Sequence, residues 1–355
     1  SHWACCTKDF TSFRVVREFY TKRLGRVLLT ASVANMAAVV VKVAVRDFST
    51  LDDPFRVLRC FLFVESWIDY DRGWDWQSCP NDPTWTIASL IPAWLLYPLM
   101  HRLVAALWRR CGCSGLSMAG ACLWATSFGP SLAIFLRQGM IECSQYLTIY
   151  MWPPSMLANF FLGVLGAEIA QRLLATTHRW RWGSVADACA GLVVSSAIFA
   201  PYGQRCTHHS TWLGHGSDAL LIHGIEPAIV LFFIASAVAG RSSMVVRILS
   251  HPGLSSLGVY SFEVYLFQVP MHDLWVRCFG SDQMGFAIMF LPFLVSLWLF
   301  SGVYAELVEK PMVRWIRIVA STTSTESGSS PESKSECDTQ LLASGTDVGS
   351  NTDPR

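Results

Sequence analysis

Charge is scarce in this chain. Only 15% of its 355 residues are Asp, Glu, Lys or Arg, and the formal net charge is +1. Soluble domains carry about a quarter charged residues, so the composition argues against a compact soluble enzyme, a coiled coil and a disordered chain. Basic excess is lacking too. With 27 Lys+Arg against 26 Asp+Glu, the chain offers nucleic acid no electrostatic footprint. Internal repeats and heptad runs are absent, and the 12 cysteines show no metal-ligand spacing. What remains is apolar: 52% of the residues are hydrophobic and 13% aromatic. That density predicts an all-α bundle crossing a bilayer several times.

A helix needs about 20 mostly apolar residues to cross the hydrocarbon core, because backbone groups in lipid must satisfy one another. Eight stretches qualify: 27–45, 84–108, 115–136, 146–170, 184–201, 219–240, 254–272 and 285–308. The segment 55–67 is too short to span. Its Phe, Leu and Trp mixed with Arg56 and Arg59 suit either an interfacial helix or a buried loop helix.

Charge divided by connection gives an orientation. With the N-terminus inside, the cytoplasmic segments hold seventeen Lys and Arg and the opposite segments seven. The positive-inside rule then places both termini in the cytoplasm. An even number of spans agrees with it. Residues 1–18 form a short cytoplasmic entry, 19–317 the membrane domain, and 318–355 a Ser-, Thr- and acid-rich tail with too little apolar surface to order itself. Cys5-Cys6 and Cys111-x-Cys113 sit beside basic inner segments, where palmitoylation and chance occurrence are both open. Cys60, Cys79, Cys143, Cys206 and Cys278 fall on the outer side, where an oxidising lumen permits one or two disulfides of unspecified pairing.

Ionisable groups inside a membrane are costly and therefore single themselves out. His223 and Glu226 are three apart and share a helix face. The pair is either an acid–base couple or two polar groups satisfying each other near the outer helix end. Glu263 and Gln268 form a second polar cluster. Proline recurs within the apolar stretches at positions 92, 98, 153, 154, 227, 270 and 292. Each break frees backbone groups that need partners from elsewhere. At the entry to the first span, Arg23 and Arg26 lie one turn apart. Two guanidinium forks so placed can grip a phosphorylated ligand, and positive-inside anchoring would put them there as well.

Four ordered patches resemble the acyltransferase-3 family of integral-membrane acyltransferases. They are FYTKRLGRVLLT, with its aromatic-x-x-R-x-x-R pattern; Pro83–Ile87 through Trp94–Pro98; ANFFLGVLGAEIAQR at 158–172; and SHPGLSSLGVYSFEVYLFQVP with the closing LVEKPMVRWI. The resemblance implies transfer of an acyl group, usually acetyl, from acyl-CoA as co-substrate, with no bound cofactor or metal. The acceptor would be a hydroxyl on a carbohydrate, a lipid or another small molecule, and membrane lipid would surround the domain. Arg23 and Arg26 match the family's arginine motif and would meet the CoA phosphates. Trp85, Ser261, Tyr265, Gln268 and Glu309 occupy motif positions of architectural character.

Three departures bear on catalysis. Leu90 stands where the family's helix has Glu, and Gln268 where it usually has His; a glutamine is neither acid nor base at neutral pH. The family's presumed catalytic His lies in an R-x10-H pattern on a helix upstream of the first patch, and the family commonly has ten spans. The resemblance therefore implies a chain shortened at its N-terminus, leaving His223 with Glu226 as its in-chain acid–base candidate. The rival expectation is a catalytically incomplete transporter or lipid-handling protein of the same architecture. A receptor-like role has no motif behind it.

Overall fold

A computed structural model describes residue 10 and residues 12–49, 51–68, 79–139, 151–174, 179–199, 216–280 and 283–325. Among them there is no strand. Helix α1 runs Phe13–Val45, α2 Pro54–Phe61 and α3 Glu65–Ile68. A 3-10 turn at Asp82–Thr84 leads into α4, Trp85–Ser127, followed by α5, Gly129–Gln138. Then come α6 Pro153–Leu174, α7 Arg179–Phe199 and α8 Gly216–Ala239. After the short α9 Met244–Leu249 and α10 Pro252–Gly258, the chain closes with α11 Ser261–Phe279 and α12 Gln283–Tyr304. A π turn at Ala305–Glu309 joins α12 to α13, Lys310–Thr325.

Among the described residues, five helical runs are long and apolar enough to cross a membrane: Val15–Val45, Asp82–Gln138, Pro153–Leu174, His223–Ser242 and Met289–Ile316. The second is long enough for two passes, and it folds back on itself. Gly112 adopts φ 62° and ψ −151°, far from helical values. A Cβ built at Gly115 would lie 3.6 Å from the Leu107 side chain, although residues eight apart on a straight helix are about 12 Å apart along the axis. Only a hairpin brings them together.

Several boundaries differ from the sequence expectation. The first helix begins at Phe13, well before position 27. The stretch 254–272 is not one helix, because α10 stops at Gly258 and α11 starts at Ser261 after a turn. α13 continues past 318 to Thr325, with Ile316 packed where α1 has Gly25. The segment 55–67 is helical in two pieces, capped by Asp53, whose carboxylate accepts the Phe55 and Arg56 N–H groups at 2.9 and 3.2 Å. Its Cys60 and Phe63 are buried while Phe55, Leu58 and Leu62 are exposed. The remaining tail, 326–355, lies outside the described residues, as do Cys5, Cys6, Cys143 and Cys206.

Side-chain pairs fix how the helices run. Arg26, in the first half of α1, meets Glu263, and Lys42, in its last turn, meets Asp273 at 3.2 Å. α1 and α11 therefore lie parallel. Tyr20 bonds the Leu95 carbonyl at 2.6 Å and Arg102 bonds the Phe10 carbonyl, so the first half of α4 is antiparallel to α1. Fully buried Ala31, Ala34, Ala88 and Ala93 allow close helix approach, whereas Leu95, Leu99, Phe233, Leu291 and Val303 are exposed. Small residues inside and large apolar ones outside is the arrangement a lipid-facing bundle needs. At the Lys42 end, Cys60 and Cys79 form a disulfide with Cα atoms 5.9 Å apart.

Candidate active site

Prolines shape the helices that carry the site. Pro270 cannot donate to the Leu266 carbonyl four residues back, and Asn81 Nδ2 donates to it instead at 3.1 Å. Tyr265, on the same helix, donates its hydroxyl to the Pro83 carbonyl at 3.2 Å. Together these bonds fasten α11 to the turn before α4. Pro311 likewise leaves the Leu307 carbonyl without its donor, and the backbone widens there into the π turn that ends on Glu309.

That turn carries Glu309 inward. Its carboxylate accepts from the Arg26 guanidinium and, at 3.4 Å, from Thr30 Oγ1. Arg26 also reaches Glu263 at 3.4 Å. Glu263 and Glu309 are 1% and 4% exposed, so one half-exposed arginine answers two buried carboxylates. Glu263 Oε2 is buried and meets no N–H donor among the described residues, and the Glu263 carboxyl lies against that of Glu309. Arg23 differs from Arg26 despite lying one turn away. Its guanidinium carbon sits 5.3 Å above the Trp94 ring, a cation–π contact.

Around these groups lies a cavity of about 960 Å³. Lys22, Arg23, Arg26, Lys310 and Arg314 line it, with Glu263 and Glu309 on the same wall. Leu90, Trp94, Phe262 and Tyr265 supply apolar and aromatic surface. A second, smaller cavity of about 490 Å³ shares Phe19, Arg23 and Trp94 with it and extends between α6 and α8. Three of the sequence patches meet at the larger cavity, and the third patch, on α6, lines the smaller.

Other candidate residues lie elsewhere. Trp85 is half-buried, and its carbonyl accepts from Ser66 at 3.3 Å. Ser261 and Gln268 are exposed on α11 and line neither cavity. His223 Nδ1 lies 2.8 Å from Glu226 Oε1, both residues being more than nine-tenths buried. The His223 carbonyl accepts from the Trp124 indole N–H at 2.7 Å. This pair also lines neither cavity, so the structure separates it from the arginines. Among the described residues no three His, Cys, Asp or Glu side chains converge as metal ligands would. In the sequence, Lys310 and Arg314 read only as inner-face charges. Their one-turn spacing after Glu309 was the available signal for a place at the cavity.

A family model described as an acyltransferase domain matches residues 3–305. Searches of curated proteins and of solved structures return no match. Most of the chain lies within the matched region, and the helical membrane-type fold agrees with it: the chain belongs to the acyltransferase-3 family of membrane acyltransferases.

Proposed function

We propose that the protein transfers an acyl group from acyl-CoA to a hydroxyl on a carbohydrate, lipid or small-molecule acceptor. One observation carries this reading: three separated family-like patches meet at a cavity with five basic side chains on its wall. A phosphorylated donor is the ligand such a wall suits. Lys22, Lys310 and Arg314, all exposed, receive the CoA phosphates, with Arg23 further in against Trp94. Arg26 is engaged by the two carboxylates and holds the wall together.

The acceptor hydroxyl oxygen attacks the thioester carbonyl, and the carbon–sulfur bond breaks. Glu263, beside Glu309 on the cavity wall, takes the hydroxyl proton and returns it to the departing thiolate. No proton is routed through His223. The basic wall faces the cytoplasm in this reading. The positive-inside pattern supports that orientation, and so does the disulfide at the opposite end of the bundle.

The test is labelling of membrane lipid and glycan extracts from radiolabelled acetyl- and longer acyl-CoA by membranes bearing the chain. Labelling that falls at least tenfold in an Arg23→Gln/Arg314→Gln variant supports the proposal. Undiminished labelling in that variant overturns the donor site. One observation favours a rival without chemistry: no histidine among the described residues lines either cavity. Binding of acyl-CoA or lipid without transfer would establish a transporter or lipid-handling role instead.

A further inference from the structure

The smaller cavity has an unusual wall. Phe160, Val164, Val230, Phe233 and Ile234 make it apolar, and Arg23, where it adjoins the larger cavity, is its one charged lining residue among those described. Two glycines of α6 border it for different reasons. A Cβ at Gly166 would come within 2.9 Å of Val230, so that glycine allows close packing. Gly163 is exposed, and a Cβ there would meet nothing within 4 Å among the described residues. Glycine in a helix interior costs stability relative to alanine, and at Gly163 close packing does not account for it. What Gly163 leaves is open volume along an apolar wall.

Resting on the acyl-CoA reading above, we propose that this cavity holds the acyl chain of the donor, and that the preferred chain is longer than acetyl. The thioester then lies by Arg23 and Trp94, the wall common to both cavities, with the phosphates in the basic cavity. At roughly 30 Å³ per methylene-sized group, close to a water's share of liquid volume, about 490 Å³ accommodates on the order of ten carbons with slack. An acetyl group would leave nearly all of that apolar surface uncovered.

Binding of S-alkyl-CoA thioethers to the full chain in nanodiscs tests this without knowledge of the acceptor. Each methylene that enters an apolar site gains up to about fourfold in affinity. The octyl thioether should therefore bind the wild type about thirtyfold or more tightly than the ethyl thioether. Gly163→Leu fills the void and should lower that octyl-to-ethyl ratio at least tenfold, with Gly163→Ala intermediate. A ratio unmoved by Gly163→Leu overturns the inference. Equal affinity of the two thioethers for the wild type overturns it as well. Failure of both thioethers to bind overturns the donor reading itself, a different outcome from either.

Discussion

Trp124 donates its indole N–H to the carbonyl of His223 at 2.7 Å, and that carbonyl is the one Pro227 leaves without a helical donor. The same relationship recurs at Asn81, Leu266 and Pro270. It recurs in looser form at Pro98, where Tyr20 bonds the Leu95 carbonyl beside the freed one. The breaks at Pro227 and Pro270 thus become fastening points for side chains from other elements. In lipid no water can substitute for that donor.

Trp124→Phe should keep the edge-on packing against Phe128, whose ring centroid is 5.5 Å away, while removing the donor. The expected cost is about 1 kcal/mol, in the range of interhelical bonds in membranes. In a Pro227→Ala background the helix regains its own N–H, and the cost should fall close to zero. Thermal unfolding of the four variants in detergent measures the cycle. An equal cost in both backgrounds would refute the fastening role.

Much of this is legible in the sequence, and the reason is physical. A bilayer imposes one period and one length on every span, so apolar runs alone mark α4, α6, α8 and α12 as membrane helices. The prolines announced freed carbonyls, but their partners Asn81 and Trp124 lie far away in sequence, and no local pattern names them. The break between Gly258 and Ser261 was hidden because both flanking helices are apolar. At the site, Arg23 and Arg26 looked equivalent because spacing alone cannot tell which one faces a carboxylate. The convergence of Glu263 with Glu309 required the π turn.

The two arginines should therefore separate experimentally. Arg26→Ala leaves Glu263 and Glu309 buried together without their cation, a loss of about 3 kcal/mol by analogy with broken buried pairs. Adding Glu263→Gln and Glu309→Gln should recover most of it. Arg23→Ala loses, among its interactions, a cation–π contact worth about 0.5–1 kcal/mol; it leaves the Glu263–Glu309 pair with its cation and should fold, with its effect on the KM for acyl-CoA. Unfolding midpoints beside donor kinetics discriminate the pair, and equal destabilisation by the two single variants would contradict the assignment.

At the opposite end, Asp47 gives a pH signature. Hydrogen bonds from Ser49 and then from Lys42 pull its carboxyl from 3.8 down to about 2. A folded-state pKa below the unfolded one contributes stability that is present above pH 3.8 and lost as pH falls towards 2. Asp47→Asn should remove that part of the acid dependence while leaving the slope above pH 5 unchanged. Unfolding midpoints between pH 5 and pH 2 provide the readout, and identical slopes for variant and wild type would exclude the contribution.

The cysteines report on orientation. Cys60 and Cys79 are joined across a separation of 19 residues, a loop whose closure is worth about 3 kcal/mol in the chain-entropy account. Both should resist alkylation until reductant is added. Cys111 and Cys113 are exposed and free beside the Gly112 turn, and Cys278 is exposed and free near the end of α11. Because α1 and α11 run parallel, Cys278 lies at the Lys42 end and the Gly112 turn at the Arg102 end. With the basic cavity towards the cytoplasm, an impermeant maleimide applied to intact cells or sealed right-side-out vesicles should modify Cys278 and spare Cys111 and Cys113. Permeabilisation should then expose the latter two, with the modified peptides read by mass spectrometry. The reverse pattern would turn the protein over in the membrane and move the donor site to the outer face.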